Sequence, residues 1–211
     1  MTAGGVKLLG VVIAGGLSRR MGDKDKLWLD LRGEALIARA ARRLARQTGD
    51  VILNVNRHDE RLAGIGLPVV ADLNEDYQGP LAGIVASLGW VHENRPDVTH
   101  VIAVSVDSPF FPDDLAARLT ADIDGRPSEI AIAFSEDYPQ PVFGLWPIAC
   151  LAPLNGFLAE ADNLKVMAFV RSQAWRRVEF PTGSPPAFFN INTPDDLAAA
   201  QEFLKEETAR G

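Results

Sequence analysis

A short unbroken apolar run, LLGVV at residues 8–12, leads directly into the stretch IAGGLSRRMGDKDK at residues 13–26. A strand with one face in water alternates apolar and polar residues. A run that is apolar throughout belongs to a strand covered on both faces, as inside a parallel sheet. Just past this strand come Gly15, Gly16, Arg19, Arg20, Gly22, Lys24 and Lys26. Glycine lets a backbone turn sharply and brings its N–H groups to a ligand with no Cβ in the way. Backbone donors flanked by fixed cations suit a polyphosphate. Five residues separate Gly16 from Gly22, and Asp23 follows. The spacing is therefore neither that of a Walker loop nor that of G-x-G-x-x-G. An ordinary turn with solvated charges is the alternative.

The rest of the chain alternates strand and helix patterns. Strand one is expected over residues 7–13, and LWLDL (27–31) reads as a short edge segment. Apolar residues at helical spacing predict a helix over 34–47, closed by Gly49. DVILNVN and LPVVAD (67–72) are further strands, and Gly79-Pro80 opens a helix through about residue 92, with proline suited to its first turn. VIAVSV (101–106) is the clearest strand of all, apolar except for Ser105. A helix is expected after it, with Pro112 and two acids in its first turn. EIAIAFS (129–135) is a fifth strand, and PQPVFGLWP is another extended segment. Helices are expected at 149–161 and 164–171, and WRRVEF is a strand near an edge. FFNIN reads as a short extended piece before a last helix, with Thr193 as N-cap, Pro194 next and Asp196 completing a capping box. Such alternation gives an α/β sandwich with a mostly parallel sheet, the later segments adding an antiparallel strand and a ligand-facing flank.

Composition narrows the function. The 211 residues carry a net charge of −7, against the basic footprint of a general nucleic-acid binder. Anionic ligands stay open, because the cations that matter can be concentrated in one loop. The single cysteine, Cys150, reads as a small buried hydrophobe in a reducing compartment. No apolar stretch approaches a membrane span, and the first residues lack a signal-peptide pattern, so a cytoplasmic protein is expected. No linker divides the chain, and one domain over 1–211 is expected.

In an open α/β sheet, ligands sit beyond the carboxyl ends of the strands. That rule singles out Gly15 and Gly16, Asn54, Asp72 and Asp107. Turns and caps also favour aspartate, so a turn before Pro109 is the plainer reading of Asp107. Magnesium takes one or two carboxylates and completes its shell with phosphates and waters, so a single aspartate suffices. A carboxylate at Asp72 can accept from N–H or hydroxyl donors of a ligand, and an amide at Asn54 can accept as well as donate. Residue chemistry leaves open which one contacts which part.

These residues also carry a resemblance. The stretch at 13–26 resembles the loop of the molybdenum cofactor guanylyltransferases of the MobA type, with Ile13 where that family usually has leucine. VILNVNRH, PVVAD, GPLAGI, VDSP, QPVFGLWP and NINTPDDL extend the likeness over nearly the whole chain. It implies a Rossmann-like three-layer sandwich of the nucleotide-diphospho-sugar transferase type, with a GTP-binding half at about 7–110 and an acceptor-binding half at about 111–211. It implies nucleotide contacts from Ile13, Ala14, Gly15, Gly16, Lys26, Asn54, Asp72, Gly79 and Gly83. It also implies Mg²⁺ on Asp107, charge neutralisation by Lys26 and Arg20, and a place beside the pterin for Asn190 and Asn192. Gln140-Pro141 resembles a segment lining the acceptor site.

The resemblance further implies GMP transfer from GTP to the terminal phosphate of molybdopterin, releasing pyrophosphate. Other cofactor-biosynthesis proteins and molybdoenzyme chaperones are implied as transient partners. Rival readings are a molybdopterin cytidylyltransferase, which usually has alanine at the position of Gly15, and a sugar-phosphate nucleotidyltransferase of the same fold. A non-catalytic nucleotide-binding protein is a third, against which Asp107 and Lys26 together argue.

Overall fold

In the computed structural model, residues 6–15, 25–72, 79–121, 123–160 and 163–210 are described. Among them, seven strands form one sheet: β1 (Leu8–Ile13), β2 (Val51–Asn54), β3 (Val69–Val70), β4 (His100–Ser105), β5 (Ile130–Ser135), β6 (Tyr138–Pro147) and β7 (Trp175–Glu179). Their order is β3-β2-β1-β4-β6-β5-β7. β6 runs antiparallel to β4 and β5, and every other pairing is parallel. Helices α1 (Leu36–Thr48), α2 (Pro80–Asn94), α3 (Leu115–Thr120), α4 (Leu151–Glu160), α5 (Val166–Val170) and α6 (Pro194–Arg210) cover both faces.

Strand alternation sorts the core into two layers. Val12 packs with α1, α3 and α6 residues such as Leu44, Leu119 and Leu204. Leu9, Val11 and Ile13 pack on the other face with Leu81, Leu88, Leu154 and Phe169 of α2, α4 and α5. That is why the run at 8–12 has no polar position. Gly10 serves the packing directly, since a Cβ there would lie 2.6 Å from Leu44 Cδ2 and 2.8 Å from Thr48 Oγ1. Its absence lets α1 lie close against β1.

Three local expectations need correction. LWLDL is not a sheet strand. The Asp25 carboxylate accepts from the Leu27 N–H at 3.1 Å, and Lys26–Trp28 wind into a 3₁₀ turn. Only an isolated bridge, Asp30 to Ala35, follows. The alternation still reports burial, because Leu27, Leu29 and Leu31 all enter the core. Next, Pro112 and its acids precede α3 instead of filling its first turn. Asp113 pairs with Arg43, and Asp114 is the N-cap, pairing with Arg118. Finally, FFNIN forms no strand. The N–H groups of Asn192 and Thr193 go to the Asp196 carboxylate at 2.9 and 2.8 Å, and so serve the cap of α6 instead of a ladder.

Cys150 is buried as expected, and burial pushes its thiol up to about 11. Among the described residues no helix is long and apolar enough to cross a membrane.

Candidate functional site

The chain leaves β1 toward β2 on one side, and later returns to place β4 on the other. Such a reversal opens a crevice at the carboxyl edge of the sheet. One register row marks that edge: Val70, Asn54, Ile13 and Ser105 lie side by side across β3, β2, β1 and β4. Gly15, Asn56, Asp72 and Asp107 follow within a few residues. Two clusters form there.

The first gathers around Lys26. Its Nζ lies 2.8 Å from Asp107 Oδ2 and 2.8 Å from Asn192 Oδ1. Both charged side chains are partly shielded, at 13% and 23% exposure. The other Asp107 oxygen, Oδ1, accepts from the Ser105 hydroxyl at 2.5 Å. The Ile191 N–H donates to the Asp107 carbonyl at 2.8 Å, and the Ser108 hydroxyl donates to Asn190 Oδ1 at 2.5 Å. The segment at 190–192 is thereby fastened to the turn after β4. Residues 81 and 166 positions apart in sequence meet at one ammonium group. Asp196 sits below the usual aspartate range, held first by the Asn192 N–H, then by Thr193, with the Lys26 charge adding to it.

The turn that carries Lys26 is anchored from outside. Asp25 receives Arg57 and, at 2.6 Å, Arg61. The Trp28 indole N–H donates to Asp59 at 2.7 Å, and the Arg61 guanidinium lies 4.5 Å from the centre of the Trp28 ring. Arg61 foremost, and then Trp28, hold the Asp59 carboxyl well below its ordinary range.

The second cluster surrounds Asp72. Asn54 Nδ2 donates to Asp72 Oδ1 at 2.8 Å and to the Val70 carbonyl at 3.2 Å. Asn56 Nδ2 donates to Asp72 Oδ2 at 2.5 Å, and the Asp72 N–H donates back to Asn56 Oδ1 at 2.8 Å. Asn54 is fully buried, and its Oδ1 has no hydrogen-bond partner. Gly83, in the first turn of α2, closes over that oxygen, and a Cβ on it would stand 2.2 Å away. With both amide hydrogens committed, what Asn54 offers a ligand in this arrangement is the placement of Asp72. A Cβ on Gly15 would lie 2.8 Å from Asn56 Nδ2, so the backbone after β1 passes directly beside this clamp. Gly79 is the N-cap of α2, with φ at 112°.

The sequence-predicted residues thus fall into groups. Lys26, Asp107 and Asn192 meet directly, and Asn190 joins them through Ser108. Asn54, Asp72, Gly15 and Gly83 form the second group, with Ile13 and Ala14 buried beneath it. The Ala14 N–H donates to the Asn54 carbonyl at 2.9 Å. Gln140 lies on β6 opposite Ala133. Gly16 and Arg20, with Arg19, Gly22 and Lys24, lie outside the described residues. Sequence reasoning did not single out Asn56, Ser105 or Ser108. The spacing of Asn54 and Asn56 was a usable signal, because residues two apart in extended chain share a side.

Among the described residues no three His, Cys, Asp or Glu side chains come together as a metal cage. The donors at Asp107 nevertheless fit Mg²⁺. It is a hard ion that takes few carboxylates and completes its shell with phosphates and waters. Asp107 Oδ2 pairs with the Lys26 ammonium group.

Residues 10–177 match the family model described as a MobA-like NTP transferase domain. Two molybdenum cofactor guanylyltransferases are similar over most of their length. The one from Bradyrhizobium sp. (strain ORS 278) is 40% identical, covering 94% of this chain and 93% of its own. The one from Rhizobium johnstonii is 43% identical, with 94% and 93% covered. The crystal structure of molybdopterin-guanine dinucleotide biosynthesis protein A from Archaeoglobus fulgidus superposes with a TM-score of 0.70 at 21% identity, covering 94% of this chain and 99% of that one. At that identity the likeness shows a shared fold.

Proposed function

The chain belongs to the MobA-like NTP transferases and among them to the molybdenum cofactor guanylyltransferases, and from that premise we propose that it transfers GMP from GTP to the terminal phosphate of molybdopterin. A phosphate oxygen of the acceptor bonds to the α-phosphorus of GTP. The bond from that phosphorus to the β-phosphate oxygen breaks, and pyrophosphate leaves with the electron pair. No protein nucleophile is required, because the acceptor supplies its own. Cys150, buried and with its thiol held protonated to about 11, is left out of the chemistry.

The task is to bring two polyanions into line, so positioning and charge neutralisation carry the catalysis. The observation that carries this reading is Lys26 Nζ, 2.8 Å from both Asp107 and Asn192 at the crevice between β1 and β4. Lys26, with Arg20, neutralises the triphosphate. Asn192 and Asn190 hold the acceptor side against it. Asp107 would hold Mg²⁺, which would supply further charge neutralisation to the reacting phosphates. Asp72, oriented by its two asparagines, accepts from the nucleoside, and the missing side chains of Gly15 and Gly83 leave room for those asparagines. The nucleotide half lies within about residues 7–110 and the acceptor half within 111–211, in a protein of the reducing cytoplasm.

The test is pyrophosphate release by the purified protein with Mg²⁺, molybdopterin, and either GTP or CTP. Release with GTP and little with CTP is expected. Equal turnover with CTP, or none with GTP, overturns the reading.

A further inference from the structure

We infer that Asn56 is a positioning residue that sets the orientation of the Asp72 carboxylate, and through it the strength with which the nucleoside is held. This rests on the guanylyltransferase reading and deepens it. Asn56 is exposed, so folding does not demand its amide, yet both polar ends of that amide are engaged by one residue. Nδ2 donates to Asp72 Oδ2 at 2.5 Å, while Oδ1 accepts from the Asp72 N–H at 2.8 Å. Asn54 grips Oδ1 of the same carboxylate from the buried side. An ionised carboxylate has about four lone-pair sites. With one hydrogen bond on each oxygen, about two of those sites remain for a ligand. Asn54 cannot fix that rotation alone, because one contact at Oδ1 leaves the group free to swing about it. Gly15 completes the arrangement: its missing Cβ is what makes room for Asn56 Nδ2.

The experiment is a double-mutant cycle read by calorimetric titration of GTP, alongside inorganic tripolyphosphate and thermal melts. Asn56→Ala is expected to weaken GTP about tenfold, the usual worth of a charge-assisted hydrogen bond. It should raise KM for GTP with kcat kept at saturation, and leave tripolyphosphate affinity and the melting temperature near wild type. Asn56→Asp keeps the shape but sets a carboxylate against Asp72 Oδ2, and should weaken GTP more than alanine does. In an Asp72→Ala background, Asn56→Ala should cost nothing further. An additive cycle, or an Asn56→Asp variant that binds better than Asn56→Ala, overturns the inference while leaving the proposed function standing. Wild-type protein that fails to bind GTP overturns both.

Discussion

Asp107 and the small residues of the crevice make the sharpest predictions at the scale of single side chains. Asp107→Asn keeps an oxygen for Lys26 and a near-identical volume, so the melting temperature should hold. Turnover should fall by about 10²–10³, the range for loss of one preorganised electrostatic group. Steady-state kinetics with GTP and molybdopterin measure it, and near wild-type turnover at limiting Mg²⁺ would remove Asp107 from the metal role. Gly83→Ala is expected to damage both fold and site. Its Cβ would meet Asn54 Oδ1 at 2.2 Å, and Asn54 cannot retreat because Val70 and Asp72 hold it. A loss of about 1–3 kcal/mol, typical of overpacking, should appear in denaturant titration. Gly15→Ala acts differently. Its Cβ meets the exposed tip of Asn56, so the fold should tolerate it while Asn56 releases Asp72. The kcat/KM for GTP should fall more than that for CTP, shrinking the ratio between them. An unchanged ratio would place base selectivity in other loops.

At the scale of elements, the contact between α1 and β1 depends on one missing methyl group. Gly10→Ala would drive a Cβ into Leu44 and Thr48, both on α1. The helix must lift or its side chains must leave their rotamers, at about 1–3 kcal/mol. The lowered midpoint should appear in urea titration without a change of slope. The same principle explains the 3₁₀ turn at Lys26–Trp28. Its sequence alternates like a strand, but Asp25 ties down the first N–H and Arg57 and Arg61 tie down Asp25. Local caps settled the backbone there, and alternation settled only which side chains were buried.

For the whole molecule, His100, the buried first residue of β4, should contribute to the pH dependence of stability. Its Nε2 donates to the Pro127 carbonyl at 2.9 Å, since a carbonyl can only accept, and Nδ1 faces the Thr99 hydroxyl. Burial lowers its pKa, only partly opposed by the hydrogen bond to Pro127. The unfolded chain therefore binds the proton more readily than the folded one, and acid favours unfolding. Stability should be full above the ordinary histidine range and decline as pH falls below it, through the lowered value of the folded state. His100→Gln should flatten that decline when stability is measured by denaturant titration across the range. A parallel slope in the variant would assign the dependence to other groups.

Several features were legible from sequence because a short-range rule produced them. Unbroken apolar runs required strands covered on both faces, and Gly49 and Thr193 marked helix ends. Asp196 even closes the cap of α6 as its spacing foretold, its N–H bonding Thr193 Oγ1 at 3.1 Å. Tertiary structure alone decided the insertion of β6 between β4 and β5, because nothing local fixes which strand a neighbour pairs with. It alone brought Lys26 to Asn192 across 166 positions. Asn56 shows the division most clearly. Its spacing from Asn54 was a signal the sequence reading did not use, and only the approach of the chain after β3 supplied the carboxylate that gives it a use.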